Sequence, residues 1–157
     1  MAANSSTGEK LGKPDLVITR IFDAPREVVW KAWTDPKQFA KWWGPHGFTN
    51  PVCELDVRPG GDILIHMKNP HDKSEYPLTG TFVEVVKPSK LVFIHRAWGS
   101  EMLNTLTLKE QNGKTTLKLE VALTKTNVDV TQAVAGAKAG FGQSFERLAA
   151  LLAGNHK

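Results

Sequence analysis

Two histidines, His66 and His95, stand on strand-like stretches rich in apolar residues, and a histidine pair could bind a metal or exchange protons near neutral pH. Their strands need not be neighbours on one face. No carboxylate or thiol completes a ligand spacing with either histidine, so no metal or other cofactor is assigned. A hydrogen-bonding role inside a pocket and plain solvent exposure both stay open for them. Glu54 and Asp56 are two apart on one expected strand and so face the same way, as an acid and base pair requires. Arg58 follows on that face, which favours a surface charge cluster. Ser100, Ser144 and the threonines have no histidine with an orienting aspartate at a recognisable spacing, so no nucleophile and no catalytic residue is assigned. Cys53, the single cysteine, belongs to no ligand or redox spacing and reads as a buried reduced thiol.

The residues suited to holding a ligand are large and mostly apolar. Phe82, Phe93, His95 and Trp98 fall on or beside neighbouring strands with Met102 beyond them, and Phe141 and Phe145 stand on a helical stretch that faces them. Around His66 the inward set is either Leu64 and His66 or Ile63, Ile65 and Met67, because a slip of one residue exchanges the two faces. Trp30, Trp33, Trp42 and Trp43 crowd the N-terminal helical segments; an exposed Trp42 or Trp43 would be a gate to a cavity or an anchor for a partner. Trp43, His66, Phe82, Phe93, His95, Trp98, Met102, Phe141 and Phe145 are therefore the candidate cavity residues. An apolar pocket with a few polar groups is the usual make-up of a small-molecule site. The competing reading is that these side chains simply fill the core.

The elements that must position them follow from periodicity and punctuation. A chain of 157 residues with 41% hydrophobic and 23% charged residues fits one globular domain, large enough to need no disulfide. Residues 1–14 are polar and read as a disordered tail ahead of a domain over 15–155. No apolar window is long enough to span a membrane, and the cytoplasm is the expected compartment. The net charge of +4 comes from scattered lysines, without a basic patch interleaved with aromatics, which argues against nucleic-acid binding.

Residues 16–22 are rich in β-branched side chains and form an expected strand. Pro25 then opens a helix ending near Thr34, and Asp35-Pro36 supplies a cap and a proline for a second short helix that Gly44-Pro45 stops. From Val52 onward the period changes to two, giving strands near 52–58, 62–68, 79–87, 90–97, 102–110 and 115–124. Tight turns at Arg58-Pro59-Gly60-Gly61, Lys87-Pro88-Ser89-Lys90 and Gln111-Asn112-Gly113-Lys114 make the neighbours antiparallel. Residues 127–153 form the longest helix, with Val130, Val134, Ala137, Phe141, Phe145, Leu148 and Leu152 on one face. This helix must cover the sheet, and the order is β-α-α-β6-α. Gly136, Gly140 and Gly142 each cost about 1 kcal/mol within it. They leave room for a ligand or let the helix kink, or they allow close approach to the sheet or an irregular helix start.

The chain resembles the START-like (SRPBCC, helix-grip) superfamily, in the branch similar to the C-terminal domain of the activator of heat shock protein 90 ATPase. Its matching motifs are the run from Ile18 to Pro25, that from Val29 to Pro36, Trp42-Trp43-Gly44-Pro45, and the run from Asp56 to Gly61. They continue with Glu75-Tyr76-Pro77, Gly80 to Glu84, Pro88 to Phe93 and Gly140 to Leu148, where the family more often has tryptophan at the position of Phe141. The resemblance covers roughly 15–153. It implies an α+β helix-grip fold of the Bet v-like kind, a curved antiparallel sheet wrapped on a long C-terminal helix with a cavity between them. The helix laid over the sheet and the aromatic residues on both walls make the leading expectation a non-catalytic domain that binds an apolar or aromatic small molecule, as a monomer or weak dimer. A co-regulator of heat shock protein 90 ATPase in the stress response is a second implied function, although only a short tail precedes the first strand where the activator has a separate N-terminal domain. A cyclase or hydrolase using the same cavity is a third.

Overall fold

The computed structural model describes residues 14–155. The expected tail therefore lies, apart from Pro14, outside the described residues. Chain order is β1 (Leu16–Phe22), α1 (Arg26–Thr34), α2 (Pro36–Trp42), β2 (Thr49–Leu55), β3 (Asp62–Lys68), β4 (Glu75–Val86), β5 (Lys90–Ala97), β6 (Ser100–Gln111), β7 (Lys114–Thr126) and α3 (Val130–Asn155). The strands form one antiparallel sheet in the order β1-β7-β6-β5-β4-β3-β2, so consecutive hairpins build a meander and β1 closes on its last strand. Bulges at Thr49/Val52, Phe82/Glu84 and Glu101/Met102 bend the strands locally, and the sheet curves around α3. This is the α+β helix-grip architecture implied by the resemblance.

The local signals operate where the chain turns. Asn112 and Gly113 both have positive φ, 57° and 76°, as a two-residue hairpin of the I′ type demands. Gly60 has φ 85° at the third position of the turn after β2, and Gly61 N–H donates to Arg58 C=O at 2.8 Å. Gly61 is required for a different reason: a Cβ there would lie 1.8 Å from Asp56 C=O. Asp35 caps α2 by accepting from Lys37 N–H at 3.0 Å, with Pro36 in the first turn.

Several boundaries move for identifiable reasons. β2 ends at Leu55 rather than at Arg58, because Asp56 N–H already donates to Asp62 C=O at 3.0 Å and the chain is turning. Glu54 and Asp56 thus do not share a strand, and the Asp56 carboxylate instead pairs with Arg58 Nε at 2.9 Å on the surface. β4 starts at Glu75 rather than near Thr79 and includes Pro77. A proline is tolerated there because β5 pairs with β4 only from Thr79 onward, so Pro77 has a strand partner on one side alone. α3 starts at Val130 rather than Asn127: Asn127 N–H is held by Gly99 C=O at 3.0 Å, and Asp129 accepts from Gln132 N–H at 3.2 Å as the helix begins.

The inner face of the sheet carries Ile63, Ile65 and Met67, all buried, which resolves the alternation on β3. His66 therefore points to the outer face, half exposed, with Nδ1 3.2 Å from Glu75 Oε1. His66 and His95 do not meet, since β4 lies between their strands and they occupy opposite faces. Under α1 and α2 the core is aromatic. Trp33 is buried against Trp42 (ring centroids 4.8 Å apart), Phe39, Trp43, Phe93 and Phe145. Trp42 Nε1 donates to Ala32 C=O at 2.9 Å, pinning α2 to α1. Trp42 and Trp43 are both buried, so neither is the exposed gate considered from sequence.

Candidate functional site

Away from the tryptophans the sheet and α3 separate. Within residues 130–140 no side chain of the helix is buried, whereas Phe141, Ser144, Phe145, Leu148 and Leu152 all are. Between the first part of α3 and the sheet lies a cavity of about 530 Å³. Its helix wall is made of small residues, Ala133, Gly136, Ala137 and Gly140, ending at Phe141. A Cβ at Gly136 or Gly140 would meet nothing within 4 Å, which removes the reading that these glycines permit close approach to the sheet. Met67, Leu78, His95 and Met102 rise from the inner face of the sheet, and Trp43, Gly44 and Pro45 close one end. At the other end Trp98 is 58% exposed, in a turn with positive φ (50°) followed by Gly99, and Val128 is exposed beside it.

The closed end is held by long-range polar contacts. Arg147 Nη1 donates to the carbonyls of Trp43 (3.0 Å), Gly44 (3.0 Å) and Pro45 (2.9 Å), and Nη2 to those of Lys41 (3.1 Å) and Phe48 (2.9 Å). Ser144 Oγ accepts from Gly44 N–H at 3.0 Å, and Gln143 Oε1 accepts from His46 N–H at 2.9 Å. A guanidinium is suited to this task because it presents five donors in a rigid fork. Burial lowers its pKa from the ordinary value.

His95 is the ionisable group of the cavity wall. It is buried, and desolvation pushes its pKa down to about 4, so the ring is neutral near pH 7. Its Nδ1 lies 2.8 Å from Asn104 Nδ2, which is also 3.3 Å from the carbonyls of Phe93 and Met102. Among the described residues no Asp, Glu, Lys, Arg or Cys lines the cavity. Among the described residues no group of His, Cys, Asp and Glu could hold a metal ion. Cys53 is only partly buried rather than fully buried; burial first, then Asp35 and Glu54, pushes its thiol up to about 11, so it is protonated.

With this geometry in place, the comparison with known families is direct: the family described as Activator of Hsp90 ATPase homolog 1-like protein matches residues 23–153. The chain belongs to that family. Crystal structures place the same fold in several bacteria. One from Nitrosomonas europaea superposes with a TM-score of 0.80 at 23% identity, covering 91% of this chain and 96% of that one. Others from Chromobacterium violaceum (TM-score 0.76, 26% identity, 87% and 96% covered) and Rhodobacter sphaeroides (0.78, 26%, 88% and 92%) are similar over the same extent. No curated protein matches the chain. Membership of the Activator of Hsp90 ATPase homolog 1-like family supports a START-like domain of the ligand-binding or Hsp90 co-chaperone-like kind.

In this family member five of the residues singled out by sequence, Trp43, His95, Trp98, Met102 and Phe141, come together around the cavity. Phe82, Phe93 and Phe145 do not. Phe82 and Phe93 border a nearly filled space of about 10 Å³ beneath α1 and α2, and Phe145 is buried among Phe22, Trp33, Trp42 and Phe141. His66 lies on the opposite face of the sheet. Sequence reasoning missed Leu78, Ala133 and Ala137 as wall residues, and Asn104 and Arg147 as the residues that hold the wall in place. Asn104 carried a signal: it is the polar residue among Met102, Leu106 and Leu108 on the buried face of β6. Nothing near Arg147 in sequence points to carbonyls about a hundred residues away.

Proposed function

We propose that this family member is a non-catalytic binding domain for an apolar or aromatic small molecule held between the sheet and the first part of α3. The observation that carries this reading is the cavity of about 530 Å³, walled by apolar side chains and by the small residues of the helix. Its volume lies within the roughly 300–1,000 Å³ of typical small-molecule sites. Exposed Trp98 and Val128 are the rim through which such a molecule would pass. Binding is favoured over cyclase or hydrolase chemistry because His95 has an amide beside it rather than a second acid or base. The proposed setting is the cytoplasm; among the described residues no helix is long and apolar enough to cross a membrane.

The test is a titration with uncharged naphthalene and indole derivatives, following backbone amide shifts. Shifts are expected along 95–102 and 132–141, and a protein whose amides stay still under every compound is not a domain of this kind. Membership of the family favours a second reading, co-regulation of Hsp90 ATPase. It predicts a changed hydrolysis rate when the purified chain is added to purified chaperone; an unchanged rate removes it.

A further inference from the structure

We infer that the cavity selects a neutral aromatic molecule bearing a carbonyl oxygen, and that His95 Nε2–H is the donor that seats this oxygen. The inference rests on the binding reading above and adds the chemistry of the ligand. Its starting point is Asn104. The carbonyls of Phe93 and Met102, each 3.3 Å from Asn104 Nδ2, can only accept, so they set the amide nitrogen toward them. The reverse orientation would oppose oxygen to oxygen at both contacts. The same Nδ2 approaches His95 Nδ1 at 2.8 Å, so Nδ1 must accept. A neutral imidazole that accepts at Nδ1 carries its proton on Nε2.

That Nε2–H has no protein partner among the described residues, and His95 lines the cavity. Two aromatic walls hold the ring: Trp43 and Phe141 each stand nearly perpendicular to it, with centroids 6.1 Å away. Of the other polar side chains of the lining, Gln132 is exposed on α3, Trp43 Nε1 is buried without a partner, and three are already engaged. Ser144 is bonded to Gly44, Gln143 to His46, and Ser100 to Thr126. Among the described residues the buried lining therefore offers the His95 donor and no countercharge. An ion placed there would be desolvated without compensation, whereas an uncharged ring with one acceptor would satisfy the donor and fill the apolar space.

The experiment compares acetylnaphthalene with its isostere isopropenylnaphthalene, in which a methylene group replaces the carbonyl oxygen. On the intact chain, heteronuclear NMR of the histidine ring nitrogens is expected to show His95 protonated on Nε2 at neutral pH. Acetylnaphthalene should shift that Nε2–H and bind about fivefold more tightly than the isostere, the size of one net hydrogen bond. In His95→Leu the two compounds should bind equally; should that variant not fold, the wild-type ring signals decide by themselves. Equal affinities in the wild type with an unmoved Nε2 signal, or a His95 protonated on Nδ1, overturn the acceptor assignment and leave cavity binding standing. Failure of both compounds to bind overturns the binding reading and this inference together.

Discussion

The two parts of α3 carry one continuous apolar stripe and use it differently. From Phe141 onward the stripe is packed: Phe141, Phe145, Leu148 and Leu152 are buried, and Arg147 ties the helix to the loop after α2. Before Phe141 it spans open space, with Ala133, Gly136, Ala137 and Gly140 facing the cavity and no side chain buried. Periodicity is the same in both parts; side-chain volume is not. A stripe of large residues draws a helix onto its sheet, whereas a stripe of alanine and glycine held up by its packed neighbour roofs a space. The first part has few buried contacts of its own, so it should open locally at lower free energy than the second.

Truncation in the packed part should have the largest effect. Phe145→Ala is expected to cost about 3–5 kcal/mol in urea denaturation, because it removes a fully buried ring from an aromatic cluster. A cost below about 1 kcal/mol would mean that the second part is not what anchors the helix. Next comes the pH response of the wall beneath the first part. His95 is held at about 4 against an ordinary 6.5, so between these values the unfolded chain takes up a proton that the native chain does not. Stability is fully present above pH 6.5 and falls as pH drops toward 4, by about 3 kcal/mol at most. In His95→Leu this loss should shrink, read from urea midpoints across that range.

Arg147→Met keeps the aliphatic packing and removes the donors to five carbonyls. The expected cost is about 2 kcal/mol, with faster amide exchange across 43–48 and no matching change at the sheet's far edge. The smallest effect belongs to the roof. Gly136→Ala should leave stability unchanged or raise it by up to about 1 kcal/mol, since the new methyl group meets nothing. Gly136→Leu should keep the fold while reducing uptake of a naphthalene probe. A marked loss of stability in either variant would place the helix closer to the sheet than the geometry here has it.

Much of the fold was legible because its signals are local. Asn112-Gly113 announces a hairpin through backbone freedom at two adjacent positions, and Asp35-Pro36 announces a helix start through a side chain reaching the next turn. Motifs from Ile18 to Leu148 carried the family. Pro77 misled the reading of β4, because whether a strand tolerates proline depends on whether both its sides are paired there. The site was only partly legible. Phe93 and His95 are two apart on the same face of β5, yet Phe93 borders the filled core alone, whereas His95 borders both that core and the cavity.

By itself, then, the sequence determined the order of strands and helices, the turns, and the presence of an apolar helix face opposite an apolar sheet face, because each depends on neighbours within a few residues. Tertiary structure alone decided which of those apolar residues enclose space and which fill it. That outcome depends on how far α3 stands from the sheet, a distance set jointly by Phe145, the tryptophans of α1 and α2, and the Arg147 contacts. The glycines of α3 fit this division: their cost was visible in the sequence, but the open space in front of Gly136 and Gly140 appears only when the helix is seen raised above the sheet.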